Sequence, residues 1–190
     1  MPEFEIVRSD SPRVPELEAA GYRLVDEAWG ARLRFIPGAK GALDDAIARA
    51  DVTLAELGRE YAVAVFELET ASNAAHGMTP AMMRRDRSLA TITELWDESR
   101  LFGALDGNRL VGVAGVSRDG ESAEVDFASV LTDYRGQGVG VAVVAYAILE
   151  VGNDGARDFH TGGPADHSAS LATARALGFT IDERWLTYSR

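Results

Sequence analysis

The stretch DYRGQGVGVAVVAYAILE, residues 133–150, joins a glycine-rich loop to a long apolar run. Gly136, Gly138 and Gly140 follow Arg135 at close spacing. The first turn of a helix has free N–H groups and the positive end of the helix dipole, and glycines let an anion approach those groups. The stretch therefore predicts either a strand-to-helix loop that binds a phosphate or a tight packing turn.

The residues before this loop have the pattern of a β-meander. The segments LFGALD and RLVGVAGV flank Asp106-Gly107-Asn108, a combination typical of a two-residue hairpin turn. RDGES, residues 118–122, predicts a second turn, and AEVDFASVL after it predicts a strand. We therefore expect consecutive antiparallel strands that lead into the loop.

Helices and strands follow one another through the rest of the chain from about residue 51. Apolar residues over 59–75 recur at helical spacing, and a second helix is predicted from the Thr-Pro pair at 79–80 through Ala90. After the loop we predict a helix over 138–150, a strand, a helix ending at Gly178 and one or two final strands. The order β-α-α-β-β-β-α-β-α-β(-β) indicates an α+β fold with helices on both faces of a mixed sheet.

The first part of the chain, residues 1–50, is predicted to form an N-terminal β-α-β-β-α extension to a domain over residues 51–190. Its two middle strands are expected to meet at a turn near Gly30. The pattern alone leaves the role of this extension open.

Two segments, residues 4–36 and 158–190, resemble each other at low resolution. Each contains a strand, a short helix with a glycine stop, and a strand with a tryptophan, and Gly21 matches Gly178. The similarity indicates either a partial repeat, the remnant of a second domain, or chance agreement between two common β-α-β patterns.

The composition excludes several classes of function. The chain has 190 residues, 46% of them hydrophobic, and no cysteine, so disulfide bonds, thiolate catalysis and cysteine–metal sites are excluded. The His, Asp and Glu residues show no metal-ligand spacing, so no metal is expected. A net charge of −11 disfavours nucleic acid and favours cationic partners such as amines. No apolar run could span a membrane and no signal peptide is evident, so we expect a cytoplasmic location.

Two known phosphate-binding motifs do not fit the glycine loop. It lacks the Gly-Lys-Ser/Thr of a P-loop, and it follows an antiparallel meander where a dinucleotide motif needs a parallel βαβ start. Residues 123–142, AEVDFASVLTDYRGQGVGVA, instead resemble the acetyl-CoA motif of the GNAT acetyltransferase superfamily, Arg/Gln-x-x-Gly-x-Gly/Ala. SASLATARALGF, residues 168–179, resembles the family's next helix. The resemblance covers about residues 51–190 and implies the GNAT fold, with a central, splayed mixed sheet flanked by helices.

This resemblance implies a set of cofactor-binding residues for acetyl-CoA, the expected co-substrate. Backbone amides in the loop would cradle the pyrophosphate, and the preceding strand, which carries a bulge in the family, would pair with the pantetheine. The N–H near Val130 would polarise the thioester carbonyl. The positions carried over are Ser129, Val130, Leu131, Arg135, Gly136, Gln137, Gly138, Val139, Gly140, Val141 and His167.

Two carboxylates, Glu124 and Asp126, lie two residues apart on the strand before the loop, so they are expected to face the same side. We predict Glu124 as the general base, as in some family members, and Asp126 as its helper or alternative. The competing interpretation is a polar strand face turned to solvent.

The sequence departs from the family pattern on the side of the leaving thiolate. Ala174 stands where many members have a tyrosine as general acid, and His167 stands where many have an asparagine. Tyr188, His167 or Ser170 could replace that acid. A thiolate is also a tolerable leaving group without assistance, because a thiol pKa is near about 8.5.

Together the motifs predict an acetyl-CoA-dependent N-acetyltransferase that acetylates a primary amine of a small molecule or a protein by direct attack on the thioester. The first alternative is a non-catalytic acyl-CoA-binding or sensing module, favoured by Ala174. The second is a partner-binding domain that has lost the ligand, which the intact RGQGVG disfavours. A homodimer is left open.

Overall fold

The computed structural model describes residues 3–38, 41–74 and 88–190. Within them are eight β-strands and six α-helices, and the α+β class is confirmed. The chain divides into two compact units. The terminal unit consists of Met1–Leu33 and His160–Arg190, and the central unit is Arg34–Phe159. This division differs from the predicted boundary at residue 50, which stays a prediction.

The central unit contains the predicted meander. β3 pairs antiparallel with β4, β4 with β5, and β5 with β6. The turn between β4 and β5 has Asp106 opposite Arg109, and Gly107 adopts a φ of +56°, so the two-residue hairpin is confirmed. The strands are β3 (Thr53–Leu57), β4 (Ser99–Asp106), β5 (Arg109–Asp119) and β6 (Ser122–Val130).

Four helices belong to the central unit. α3 and α4 bury Val65, Leu68 and Ile92 in a cluster with Leu101 and Val113 of the sheet. α5 is almost entirely apolar, and α2 packs against it. The helices are α2 (Ala42–Arg49), α3 (Ala62–Ala74), α4 (Leu89–Glu98) and α5 (Val139–Asn153).

The terminal unit combines both ends of the chain. β8 pairs antiparallel with β1 on one side and with β2 on the other. Val7 and Leu17 pack with Leu186 and Tyr188 in its core. Its elements are β1 (Phe4–Arg8), α1 (Arg13–Ala19), β2 (Arg23–Arg34), β7 (Asp158–Pro164), α6 (Ser168–Ala176) and β8 (Thr180–Ser189). The last residue of β2 and the first two residues of β7 belong to the central unit.

Two predicted elements were wrong. The expected turn near Gly30 is absent, because β2 pairs with β8 along its length and absorbs an irregularity at Gly30/Ala31 as a register shift. The helix predicted to run through Ala90 does not pass through Ser88, which is extended; α4 starts at Leu89, because the Ser88 side chain caps it by accepting the Thr91 N–H at 3.2 Å. The Thr-Pro pair at 79–80 lies outside the described residues.

The segments proposed as a partial repeat end their helices alike. Gly21 and Gly178 have φ values of +87° and +86°. The Tyr22 N–H donates to the Leu17 carbonyl at 3.0 Å, and the Phe179 N–H donates to the Ala174 carbonyl at 3.0 Å. Both helices therefore use a glycine in the left-handed region as a C-terminal stop. A common origin of the two segments stays a prediction.

No helix in the described part of the chain is long and apolar enough to cross a membrane. Among the same residues, no cluster of three or more His, Asp or Glu side chains could hold a metal ion.

Candidate active site

The glycine loop connects β6 to α5 through a short 3₁₀ turn, Thr132–Tyr134. Gly136 and Gly138 have φ values of +74° and +83°, in the left-handed region that side chains disfavour. A Cβ at either position would have open space around it, so backbone conformation is what requires glycine here. The sequence RGQG therefore sets the path of the loop into the helix.

The first turn of α5 has no side-chain cap. Gly138 is the N-cap residue, its carbonyl accepts the Ala142 N–H at 2.9 Å, and the turn contains no acidic residue. The amides at the start of a helix have no partner within the helix, so those of Val139, Gly140 and Val141 form a concentration of donors at the positive end of the dipole. This is the arrangement in which proteins bind phosphate groups.

Gly140 allows this first turn to approach β6 closely. A Cβ on Gly140 would lie 3.2 Å from Cγ2 of Val130, which is tighter than ordinary packing. The start of α5 therefore lies directly against the end of β6.

Near the end of β6, the backbone N–H and C=O groups of successive residues point alternately toward β5 and away from it. The Leu131 N–H donates to the Val111 carbonyl at 3.0 Å, and Gly112 lies opposite Val130. Hydrogen-bonded and non-hydrogen-bonded pairs alternate along antiparallel strands. The backbone groups of Ser129 therefore also point toward β5, whereas those of Ala128 and Val130 point away from it. Of the three strand positions in the predicted set, Val130 alone presents its N–H on the side away from β5. Ala128 was missed, because finding it requires the pairing register.

A bulge interrupts β6 at Asp126. Gly115 lies opposite Phe127 and Val116 opposite Val125, so Asp126 is the extra residue. The resemblance implied a bulge in this strand, and the structure has one. The Asp126 carboxylate accepts hydrogen bonds from the Ser117 hydroxyl at 2.8 Å and the Ser99 hydroxyl at 2.9 Å. Both of its oxygens therefore accept hydroxyls, one from β5 and one from β4.

Glu124 is exposed and lies opposite Ser117. It forms no hydrogen bond or ion pair with the residues that the structure describes. Since cross-strand neighbours share a face and Asp126 also reaches Ser117, both carboxylates lie on one face, as predicted. Along the strand, Glu124 is about 13 Å from Ala128 and about 20 Å from Val130 at the usual rise per residue.

The Arg135 side chain is directed into the protein. Its Nε–H donates to the Val130 carbonyl at 3.2 Å, and Nη2 donates to the carbonyl and hydroxyl of Ser72, each at 3.1 Å. Gln137 also braces the loop, since its Nε2 donates to the Asp133 carbonyl at 2.7 Å. The predicted cofactor role of Arg135 and Gln137 therefore rests on their backbones.

The residues considered for the thiolate side lie in the terminal unit. Ala174 is buried in α6. The Tyr188 hydroxyl donates to Glu18 at 3.0 Å. The pKa of Tyr188 is raised, mainly by burial and to a smaller extent by this hydrogen bond. Nδ1 of His167 and the Ser170 hydroxyl lie 2.9 Å apart at the start of α6. Of the three proposed substitutes for the missing tyrosine, Tyr188 thus already donates to Glu18, and the Ser170 hydroxyl donates to the His167 carbonyl at 3.0 Å.

The sequence also matches a known protein family. The family description "Acetyltransferase (GNAT) family" matches residues 63–179, more than half of the chain. The chain therefore belongs to the GNAT family of acetyltransferases.

Three similar proteins are each longer than this chain. Mycothiol acetyltransferase of Corynebacterium efficiens is 30% identical over 110 residues, which cover 50% of this chain and 37% of that protein. A GCN5-related N-acetyltransferase from Sphaerobacter thermophilus matches with a TM-score of 0.74 and 16% identity, over 100% of this chain and 59% of that one. A tandem GNAT protein from the clavulanic acid biosynthesis pathway matches with a TM-score of 0.71 and 21% identity, over 100% of this chain and 63% of that one. The chain thus spans less than two thirds of each.

Proposed function

We propose that this chain is an acetyl-CoA-dependent N-acetyltransferase that acetylates a primary amine of a small molecule or a protein. The observation that carries the proposal is the start of α5, where Gly138 leaves the first-turn amides without a side-chain cap. Phosphate oxygens are the ligands for such donors, and family membership points to the pyrophosphate of acetyl-CoA. The amides of Gln137 through Val141 are the proposed donors.

The reaction needs positioning more than covalent chemistry. The amine loses a proton, its nitrogen attacks the thioester carbonyl, the C–S bond breaks, and the CoA thiolate leaves. A backbone N–H that points at the carbonyl oxygen stabilises the charge that develops there. Ala128 and Val130, whose backbone groups turn away from β5, are the two candidates for that donor.

The choice of base and the choice of this donor are linked. A general base must reach the proton directly or through one water. Along the strand, Glu124 lies about 13 Å from Ala128 and about 20 Å from Val130, so it is nearer to a thioester held at Ala128. Because both oxygens of Asp126 already accept hydroxyls, we assign Glu124 as the base with Ala128 as the donor. Asp126 with Val130 is the alternative pairing.

The acceptor is proposed as a small amine in the first instance. The name of the relative, mycothiol acetyltransferase, favours a small molecule, and a net charge of −11 favours a cationic one. A cytoplasmic location and the absence of a nucleic-acid partner belong to the same proposal, and protein amines form the second group to test.

Steady-state turnover of acetyl-CoA with a panel of primary amines tests the proposal. Glu124→Gln is expected to lower kcat by about 10²-fold or more while acetyl-CoA affinity is kept. The matched control is Glu121→Gln, which removes an exposed carboxylate from the turn before β6 and should behave as wild type. Loss of turnover in Asp126→Asn alone would select the alternative pairing. Binding of acetyl-CoA without turnover of any amine would favour the non-catalytic acyl-CoA-binding module.

A further inference from the structure

We propose that Arg135 and Ser72 form a clamp that positions the glycine loop, and that the Arg135 guanidinium acts on protein groups without contacting the ligand. The clamp consists of the Arg135 side chain, the Val130 carbonyl, and the carbonyl and hydroxyl of Ser72. Arg135 is thus a positioning residue for the cofactor. The inference rests on the proposed function for the identity of its ligand.

The first part of the clamp closes the connection after β6. The Arg135 Nε–H donates to the carbonyl of Val130, five residues earlier, at 3.2 Å. The Thr132–Tyr134 turn lies between the two bonded residues. This bond therefore fixes where the chain enters Gly136, and through it where the first-turn amides of α5 point.

The second part of the clamp ties the loop to the end of α3. Ser72 lies near the end of α3 (Ala62–Ala74). Nη2 of Arg135 donates to the Ser72 carbonyl and hydroxyl, so a single guanidinium joins the loop to α3.

The burial of Ser72 shows that this contact belongs to the packed structure. Ser72 is 7% exposed, and it continues the buried stripe of α3 formed by Val65, Leu68 and Glu69. Arg135 itself is partly buried. Three hydrogen bonds to protein acceptors fix the orientation of this guanidinium, so it cannot turn toward a phosphate without breaking them.

Acetyl-CoA binding measured by calorimetry on four variants tests the clamp. Arg135→Ala is expected to weaken binding about tenfold, and Ser72→Ala about threefold, since the latter removes one of the three bonds. Arg135→Ala/Ser72→Ala should bind no more weakly than Arg135→Ala, because the two residues act through one contact. Arg135→Gln, which keeps a donor but not the charge, should recover most of the affinity.

The matched control is Arg109→Ala, which removes an exposed cation near the same loop, its guanidinium lying 5.9 Å from the Tyr134 ring centroid. It is expected to bind acetyl-CoA within about twofold of wild type. If Ser72→Ala binds as wild type while Arg135→Ala and Arg135→Gln are equally impaired, Arg135 contacts the phosphate and the clamp is wrong. Additive effects in the double variant lead to the same conclusion.

Thermal unfolding without ligand separates this inference from the proposed function. The clamp predicts that Arg135→Ala and Ser72→Ala lower Tm non-additively, whatever the protein binds. Wild type that fails to bind acetyl-CoA while the Tm values remain non-additive overturns the proposed function and keeps the clamp. Additive or unchanged Tm values overturn the clamp, even where acetyl-CoA binds.

Discussion

The helices α4 and α5 begin in opposite ways within the same unit. Ser88 caps α4, since its hydroxyl accepts the Thr91 N–H at 3.2 Å and its carbonyl accepts the Thr91 hydroxyl at 2.9 Å. Gly138 begins α5 from the left-handed region and offers no side-chain acceptor. Both helices have the same orphan donors to satisfy.

Under the proposed function, this difference separates a structural helix start from a ligand-binding one. A cap satisfies the first-turn amides permanently, and it also fills the space that a ligand would need. At α5 the glycines keep that space open, while stability comes from the apolar side chains that bury the rest of the helix. Substitutions at the two helix starts test this comparison.

Gly138→Glu should abolish acetyl-CoA binding, with an affinity loss of at least about 100-fold by calorimetry. The substitution puts a negative charge beside the proposed pyrophosphate position and a Cβ on a residue with φ of +83°. The control is Gly120→Glu, which adds the same charge at a left-handed turn, φ +59°, between β5 and β6. Both variants should lose comparable stability, but only Gly138→Glu should lose binding. Equal binding of acetyl-CoA by the two variants would show that the uncapped start of α5 has no role in binding.

Ser88→Ala should lower the free energy of unfolding by about 1 kcal/mol, the usual contribution of a serine N-cap. Acetyl-CoA affinity should stay at the wild-type value, because the cap serves the helix alone. Denaturant titration and calorimetry on the same preparation measure the two quantities. Ser88→Thr, which retains a hydroxyl, should stay close to wild type, and a loss of binding in Ser88→Ala would contradict the distinction between the two helix starts.

At the opposite end of α5, the ion pairs of Arg100 with Asp154 and Glu56 should make a pH-dependent contribution to stability. Asp154, its C-cap residue, accepts from Arg100 at 2.6 Å, and Arg100 also pairs with Glu56 through two bonds of 2.8 Å. The hydrogen bond with Arg100 lowers the pKa of Glu56 from its ordinary 4.5. This contribution is therefore present above about pH 4.5 and is lost as the pH falls through the lowered pKa of the folded state.

Glu56→Gln tests this contribution. The variant should be slightly less stable than wild type near neutral pH, and the difference should shrink below about pH 4.5 as Glu56 of the wild type becomes protonated. Denaturant titrations across this range measure it. A difference that is constant with pH would show that Glu56 contributes through packing and not through its charge.

The order of elements from β3 onward followed from the sequence because each signal there is local. The Asp-Gly-Asn turn, the apolar period of α3 and the glycine loop each lie within a few residues. The predictions at Gly30 and Ser88 were wrong for related reasons. A glycine inside a strand can mark a bulge as well as a turn, and Ser88 begins a helix in a stretch where a helix was expected to end.

The candidate site was predictable in its motif but not in its contacts. The acetyl-CoA motif and the two carboxylates could be read from the sequence. The direction of the Ala128 backbone depends on the register with β5, and the hydroxyls that hold Asp126 come from other strands. The partner of Arg135 lies on α3, and no local pattern identifies it.

The clamp also bears on the order of events in folding. Arg135 and Ser72 are 63 residues apart, with α4 and strands β4, β5 and β6 between them. Hairpins close short loops and form early, whereas a contact across this separation has a larger entropic cost. We therefore expect the glycine loop to reach its final shape after the meander has formed. In native-state hydrogen exchange, the loop should open before the meander does, so the protein would lose its binding site while most of its sheet is still intact.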